Sequence, residues 1–467
     1  MLLPPRLVTF GSGLSLGAPG LRHLAWSNRL PFNSLSLFIS WMIKSRIRSI
    51  KNVLTVKWNR LLLSQQESYT LLSKRDEPRE IALLKQKIRS RTSLLILLGV
   101  LSFFLGIGYS LIYRSPDDLE YAEIEEYTEV QAKSNIPPNS KYSGISSKVN
   151  IKIKAVGDIV PGTNYPTNRL HPNKKVLFQS VKPLLQGADF LFGNFESTLT
   201  NHPYSAKGVG GGLVVPFRTP PSYTQILKEA GFDIMSVANN HSYDFYVQGF
   251  RDTIQNLEKT GIKAVGKKGQ ILIAHYQGVS IAWIGFSYFD YHNSINNLAR
   301  AKALVQKASK RADIVVISVH AGAEGTGAMR VRNKTEVFAN ENRGNLVKFS
   351  HTMIDNGADL ILGHSPHVPR AVELYKGKFI AYSLGNFLGY RTLSTQAELA
   401  YSLVLEVELN NQGDFVSGNI IPVHLNRQGI PYPDPKGRSI KLIRQLTQLD
   451  FPKTALTIKS NGQILRK

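Results

Sequence analysis

"DLILGHSPHVPR", Asp359 to Arg370, runs from an apolar stretch straight into two histidines set around a proline. The chain has only 11 histidines, so a pair at the end of one apolar run calls for a physical reason. A continuous apolar run, as opposed to an alternating one, suits a strand buried on both faces. In open α/β sheets the carboxyl ends of such strands are where ligands bind. Pro366 makes an extended turn that can aim the rings of His364 and His367 at one place.

Working outward, the same pattern recurs from Ile151 onward. Strands are predicted at IKIKAVGD, ADFLFGN, FDIMSVAN, ILIAHY, VSIAWIGF, DIVVISVH, ADLILGH, KFIAYSLGN and AYSLVLEVEL. Helices are predicted at Lys174 to Leu185, Pro221 to Ala230, Tyr246 to Thr260, Ile295 to Ser309 and Asn342 to Asn356. Short β-rich runs alternating with helical stretches indicate an α/β layered domain. Its expected span is 151–425, with 426–467 as a C-terminal extension.

The rest of the 467-residue chain has another character. The formal net charge is +24, and roughly half of the excess precedes residue 93, in stretches such as KSRIRSIKN and KQKIRSR. Leu94 to Tyr113, LLILLGVLSFFLGIGYSLIY, carries no charge. As a helix it rises about 30 Å, the thickness of a bilayer core, so a single transmembrane helix is expected at 94–113. Arg89 and Arg91 precede it, whereas Asp117, Asp118, Glu120, Glu123, Glu125 and Glu126 follow. That asymmetry places the basic region 1–93 in the cytoplasm and the main domain outside the cell membrane. A cleaved signal peptide is the competing reading, disfavoured by the long basic region before the run and by the lack of an A-x-A-like site. A buried core helix is disfavoured by the missing polar face. No domain is assigned to 1–93, where Met42 is an alternative start. Residues 114–150, acidic and then polar with Pro137-Pro138, read as an extracytoplasmic linker, and KGVGGG at Lys207 to Gly212 as a flexible loop. Basic charge beside an anchor has anionic lipid as its partner, so the membrane is expected as a partner and nucleic acid is not. The chain contains no cysteine, which excludes disulfides, thiolate metal sites and cysteine nucleophiles. No Walker-type glycine motif is present, so ATP-driven ligation is left to another protein.

Five predicted strands stop on donors of one kind: Asp158 in AVGDIV, Asn194 and Glu196 in FGNFES, Asn239, Asn240 and His241 in VANNHSYD, His320 in ISVHAG, and His364 with His367. Taken singly, each has a plain structural reading. Asp158 suits a turn, Glu196 a solvated loop, Asn239 and Asn240 a left-handed turn, and His320 a core histidine. Together they supply the about six or seven oxygen and nitrogen ligands that two divalent cations need, including a carboxylate able to bridge. Mixed carboxylate, amide and imidazole donors suit Mn²⁺, Zn²⁺ or Fe²⁺. Around them, Asn194, Asn239, Arg218 and Asn386 are expected as substrate-binding positions. Arg218 in PFRTP is suited to grip a carboxylate or phosphate, with a surface ion pair as the alternative. Glu324 in HAGAEG is open to three roles: general base, partner of a ligand, or solvated acid, the last being preferred. YSLGNF, Tyr382 to Phe387, is expected to close the site, with Asn386 as a donor supporting the ligands.

The order GD, GN-x-E, NNH, D, VH-x-G, GH-x-PH, YSLGNF closely resembles the CapA family of poly-γ-glutamate capsule biosynthesis proteins, over Ile151 to about Pro422. The family's fold is similar to that of calcineurin-like metallophosphoesterases. The resemblance implies a four-layer αββα sandwich with the site at one edge of two facing sheets, and an N-terminal anchor with work done outside the cytoplasmic membrane. By position, Asp158, Glu196 and His367 resemble the ligands of a first metal, and Asn240, His320 and His364 those of a second, with Glu196 bridging. His241 resembles the histidine that gives a proton to the leaving group, with Asp244 close enough to orient it, and a metal-activated water is the implied nucleophile. Two positions depart from the metallophosphoesterase pattern and match the CapA one. Val160 stands where Asp-x-His has its histidine, and Gly-His-Ser-Pro-His replaces Gly-His-x-His.

Two functions follow from the resemblance. One is a metal-dependent, phosphoesterase-like hydrolase or transferase acting on poly-γ-glutamate, another anionic polymer or a phosphate ester. The other is a non-catalytic accessory subunit that binds growing polymer and assists export or synthase subunits. His241 beside Asn240 favours chemistry, since a purely structural metal site needs no additional acid. Val160 favours the accessory role.

Overall fold

The computed structural model describes residues 127–131, 149–208 and 215–467. The chain divides at Tyr113 and Arg114, and all described residues lie in the second unit. The basic region, the apolar run 94–113 and most of the glycine loop are outside the described residues. Among the described residues no helix is long and apolar enough to cross a membrane.

Two sheets face each other. The eight-stranded one runs, in spatial order, Tyr127–Gln131, Ile271–Tyr276, Val279–Ser287, Ile314–His320, Leu360–His364, Lys378–Ala381 and Val372–Tyr375, with Asn293–Ser294 paired to its third strand. The ten-stranded one is centred on Asn150–Val160, flanked by Phe190–Phe195 and Ile234–Ser236 on one side and by Tyr401–Asn410 and Phe415–Leu425 on the other. Ile153, Phe192 and Leu405 of one sheet share a core with Trp283, Val316 and Leu362 of the other. The opposite face of each sheet is covered by helices. Leu227, Phe250 and Ile254 pack on Val156, Leu191 and Met235, while Val305, Phe349 and Met353 pack on Ala282, Ile284 and Val315. The α/β, four-layer αββα arrangement is therefore present. It explains the continuous apolar runs: successive side chains of a strand point to opposite faces, and here both faces are interior. Leu360 and Leu362 face the partner sheet and Ile361 faces the helices.

Several elements differ from expectation for local reasons. Lys174 to Leu185 forms two single turns, Val176–Gln179 and Lys182–Leu185, with Pro183 opening the second, where its missing N–H is tolerated. The next-to-last predicted helix starts at Leu298, where Asn297 caps it by accepting from the Arg300 N–H, and the last starts at Leu346 under an Asn345 cap. The segment expected as a linker contributes the Tyr127–Gln131 strand, parallel to Ile271–Tyr276. The C-terminal extension is integral to the sandwich. Ile440 and Ile443 of its Arg438–Asp450 helix enter the core between the sheets, and Gln463–Arg466 pairs with Phe415–Leu425.

The most consequential difference is in KFIAYSLGN. It is two strands, Lys378–Ala381 in one sheet and Asn386–Gly389 in the other. Tyr382 to Gly385 crosses between the sheets and is bonded to both: the Leu384 N–H donates to Gly363 O and the Asp158 N–H to Gly385 O. This crossing lies directly on two motif glycines. A Cβ on Gly157 would stand 1.9 Å from Gly385 O, and one on Gly363 2.3 Å from Tyr382 O. Close backbone approach thus requires glycine immediately before Asp158 and before His364.

Candidate metal centre

The strand ends on either side of that crossing converge. His320 and His364 lie in register on adjacent parallel strands, and Asp158 is in register with Asn194 on the facing sheet. The Asp158, Glu196, Asn194, Asn239, His320 and His364 side chains are all essentially inaccessible to solvent. Asp158, Glu196 and His367 each offer a ligand atom within 4.8 Å of the others. Asp158 Oδ1 is 3.5 Å from His364 Nδ1, and Oδ2 is 3.1 Å from His367 Nδ1. Glu196 Oε1 sits between two imidazoles, 3.7 Å from His320 Nε2 and 3.8 Å from His367 Nε2. His367 and Ser365 have φ of 59° and 95°, a left-handed backbone that such residues adopt only where the surroundings hold it.

The electrostatics follow from burial against neighbours. Burial alone would raise Asp158, but His364 and His367 outweigh it and hold its carboxyl well below the usual range. Burial raises Glu196, with Asp158 and Glu324 adding to the rise and His367 opposing it. Burial would lower His367, yet Glu196, Asp158 and Glu324 bring it up to about 10. Burial pushes His320 down. A proton on His367 is thus held by a field of carboxylates that a cation would satisfy better.

The donor set fits divalent metal. Asp158 Oδ2, both Glu196 oxygens, Asn240 Oδ1, His320 Nε2 and both His364 ring nitrogens are buried without an aligned hydrogen-bond partner. An unsatisfied buried polar atom costs about 1–3 kcal/mol, so several at one place are stable only as ligands of something else. The atoms are oxygen and imidazole nitrogen, the donors of Mn²⁺, Zn²⁺ and Fe²⁺ sites.

The remaining expected residues fall into two groups. Asn194 and Asn239 brace the ligands from inside. Asn194 Nδ2 donates to Asp158 Oδ1 at 2.8 Å, and Asn239 Nδ2 donates to Asn194 Oδ1 at 3.1 Å. Asn386 accepts at Oδ1 from His367 Nδ1 at 2.8 Å, so it supports the site as an acceptor, not as the expected donor, and leaves His367 Nε2 facing Glu196. Arg218 lies elsewhere. Its Nε donates to Asn164 Oδ1 and its Nη1 to His202 O, over the rings of Tyr165 and Phe245. Its charge ties loops together, and among the described residues it forms neither an anion grip nor a surface ion pair. His241 and Asp244 form a pair: His241 Nδ1 donates to Asp244 Oδ2 at 2.7 Å, leaving Nε2 as the atom that can exchange a proton. The ring stacks on Phe217 at 4.3 Å. Burial lowers its pKa, against Asp244 and with help from Lys207.

Two residues were not legible as site components. Lys207 Nζ lies 2.5 Å from Asp244 Oδ1 and donates to Asn240 O at 2.9 Å; its only signal was its place before a glycine run. Arg343, 4% exposed, reaches Glu324 Oε1 at 2.7 Å and Glu341 Oε2 at 3.0 Å. It turns Glu324 inward, with Oε2 3.8 Å from His367 Nε2, so Glu324 is a held carboxylate at the mouth and not a freely solvated acid. Val160 is buried and apolar, and supplies no ligand.

Known proteins are similar to this chain to different extents. A relative named PGA biosynthesis protein CapA, from Bacillus subtilis, is 29% identical over 316 residues, 63% of this chain and 77% of its own. The capsule biosynthesis protein CapA of Bacillus anthracis is 26% identical, covering 66% of this chain and 75% of its own. A probable polyglutamine synthesis accessory protein of Mycobacterium tuberculosis is 26% identical over 46% of this chain and 61% of its own. Among solved structures, a 5'-nucleotidase precursor from Thermus thermophilus aligns with a TM-score of 0.35 at 11% identity, over 64% of this chain and 59% of that one. The family model for the bacterial capsule synthesis protein PGA_cap matches residues 152–391, the stretch that holds every converging ligand from Asp158 to His367 and the crossing segment beneath them. The chain belongs to that capsule synthesis family.

Proposed function

We propose that this protein acts in the synthesis or export of an anionic capsule polymer such as poly-γ-glutamate. In this reading residues 94–113 anchor it in the cell membrane and its sandwich works on the outer face as a metal-dependent hydrolase. The observation that carries the chemistry is the buried convergence of unpartnered donors beside the His241–Asp244 pair. Asp158, Glu196 and His367 would hold one divalent cation, and Asn240, His320 and His364 a second. When bound, such cations supply positive charge to polarise a phosphoryl or acyl oxygen and to acidify water.

The chain's own residues do the rest. Asn386 and Asn194 hold His367 and Asp158 in place, which limits motion in the ligand set. Asp244 fixes the His241 ring through Nδ1 and leaves Nε2 as the atom that exchanges a proton. Because burial keeps the ring neutral at rest, Nε2 would take the proton that the attacking water loses and then deliver it to the departing oxygen or nitrogen, so the step is balanced. Phe217 excludes water from one face of that ring.

The accessory reading is favoured by the name of the mycobacterial relative, an accessory protein, and by Val160 in place of a ligand. His241→Ala separates the two. On the hydrolase reading, the variant keeps the parent's metal content by elemental analysis and loses about 10²–10⁴-fold in turnover of a phosphodiester or poly-γ-glutamate. Equal turnover in variant and parent would remove the role of His241, and a metal-loaded parent without turnover on either substrate would favour the accessory reading.

A further inference from the structure

The eight-stranded sheet carries a second opening. The Val279–Ser287 strand, whose Phe286 lines it, is the parallel neighbour of the strand that supplies His320, and Phe286 points to the helix-covered face of the sheet. The chain then turns through Asp290 to Ser294 into the Leu298–Ser309 helix. Between that turn, the helix and the Lys268–Gly269 corner lies a cleft of about 590 Å³.

Its lining is divided by chemistry. Phe286 and Leu304 give it an apolar floor, while Lys268, Arg300 and Lys307 bring three cations against one acid, Asp290. Arg300, Leu304 and Lys307 are spaced i, i+4, i+7 and therefore share one helix face. At 1.5 Å per residue the two cations stand about 10 Å apart along the axis. Lys268 Nζ donates to the backbone oxygen of Asp290 at 2.8 Å. The Arg300 guanidinium is exposed and makes no hydrogen bond or ion pair among the described residues. The walls are held in advance of any ligand: Asn293 accepts from the Gly269 N–H and donates to Gly285 O. At the base, fully buried His292 binds Ser287 Oγ through Nδ1 at 2.9 Å and keeps Nε2 without a partner.

We propose that this cleft binds a carboxylate-bearing chain, with Arg300 and Lys307 pairing with carboxylates on separate units and Phe286 and Leu304 receiving the methylene arms between them. The ligand class rests on the polymer reading above; the cleft itself rests on its charge, its shape and the Arg300 guanidinium, which is unpaired among the described residues. The cleft acts as a tether for polymer on the helix-covered side of the sheet that supplies His320 and His364. Wall positions held before binding lower the ordering cost of capture.

The test uses the full chain and two probes at low salt, a fluorescent decamer of γ-linked glutamate and citrate. Arg300→Gln combined with Lys307→Gln is expected to weaken both by about tenfold or more, with metal content and Tm unchanged. Added salt is expected to weaken binding to the parent more than to the double variant. Parental affinity in the double variant overturns the cleft while leaving the polymer reading in place. Citrate binding that depends on Arg300 and Lys307, without decamer binding, supports the cleft and removes the polymer reading. Binding of neither probe overturns the cleft. Decamer binding lost in Asp158→Asn but kept in the double variant would place the polymer at the metal-ligand cluster and also overturn the cleft.

Discussion

Replacing Glu196 by glutamine makes the metal argument quantitative, because the two roles open to this residue have opposite signs. Glu196 is fully buried, neither oxygen has a hydrogen-bond partner, and burial raises its pKa. In the metal-free protein the buried charge is therefore a net burden, and replacing it by a neutral amide relieves about 1 kcal/mol once the lost attraction to His367 is set against it. For a unit of this size 1 kcal/mol moves Tm by about 1.5 °C, so metal-free Glu196→Gln should melt about 1–2 °C above the metal-free parent. Adding Mn²⁺ at a hundredfold excess over Kd should stabilise the parent by about 2.7 kcal/mol, close to 4 °C, and leave the variant almost unmoved. The crossover is the signature: the variant is the more stable protein without metal and the less stable one with it. Differential scanning calorimetry on chelated and metal-loaded samples reads it directly. If the metal-free variant melts below the metal-free parent, or if it retains the parent's metal content, Glu196 is a structural acid and the bridging role is wrong.

Three further outcomes follow from the geometry. His367 is raised above its unfolded value to about 10, so stabilisation from its protonated form is full below pH 6.5 and is lost as pH rises through 10. Metal competes with that proton, and the apparent Mn²⁺ affinity should climb by up to about tenfold per pH unit between pH 7 and 9 in isothermal titrations; a flat profile would remove His367 from the ligand set. Arg343→Ala leaves the Glu324 and Glu341 carboxylates without their shared cation and uncovers Tyr288, whose ring lies 4.3 Å beneath the guanidinium. Because both acids are partly solvated, a loss of about 2–3 kcal/mol is expected in urea unfolding, partly recovered when Glu324→Gln is added. Gly157→Ala drives a methyl group into Gly385 O. The expected result is a loss of about 1–3 kcal/mol together with weaker metal binding, since Asp158 is the next residue; an unchanged Tm would show that the crossing segment yields.

Much of the site was legible because its chemistry is carried in short, local motifs. An apolar run ending in a donor is a statement about one strand, and each such statement can be made without knowing the neighbours. Glycine before Asp158 and before His364 was visible as a pattern, but its reason was not, since the carbonyl groups it accommodates come from Tyr382 and Gly385, far along the chain. KFIAYSLGN read as one strand for the same cause: strand propensity does not reveal that its two halves pair in different sheets.

Arg218 and Arg343 make the contrast plain. Both are arginines in irregular segments, and composition treats them alike. Arg218 is drawn away by Asn164 and His202, whereas Arg343 is drawn in to aim Glu324 at His367. The sequence by itself determined the layered α/β class, the strand ends and the kinds of donor placed there, because periodicity and residue chemistry act over a few neighbouring positions. Only the tertiary structure decided which donors meet, which asparagines brace them, and that the last 42 residues complete the core, because these depend on pairings between segments that no local stretch encodes.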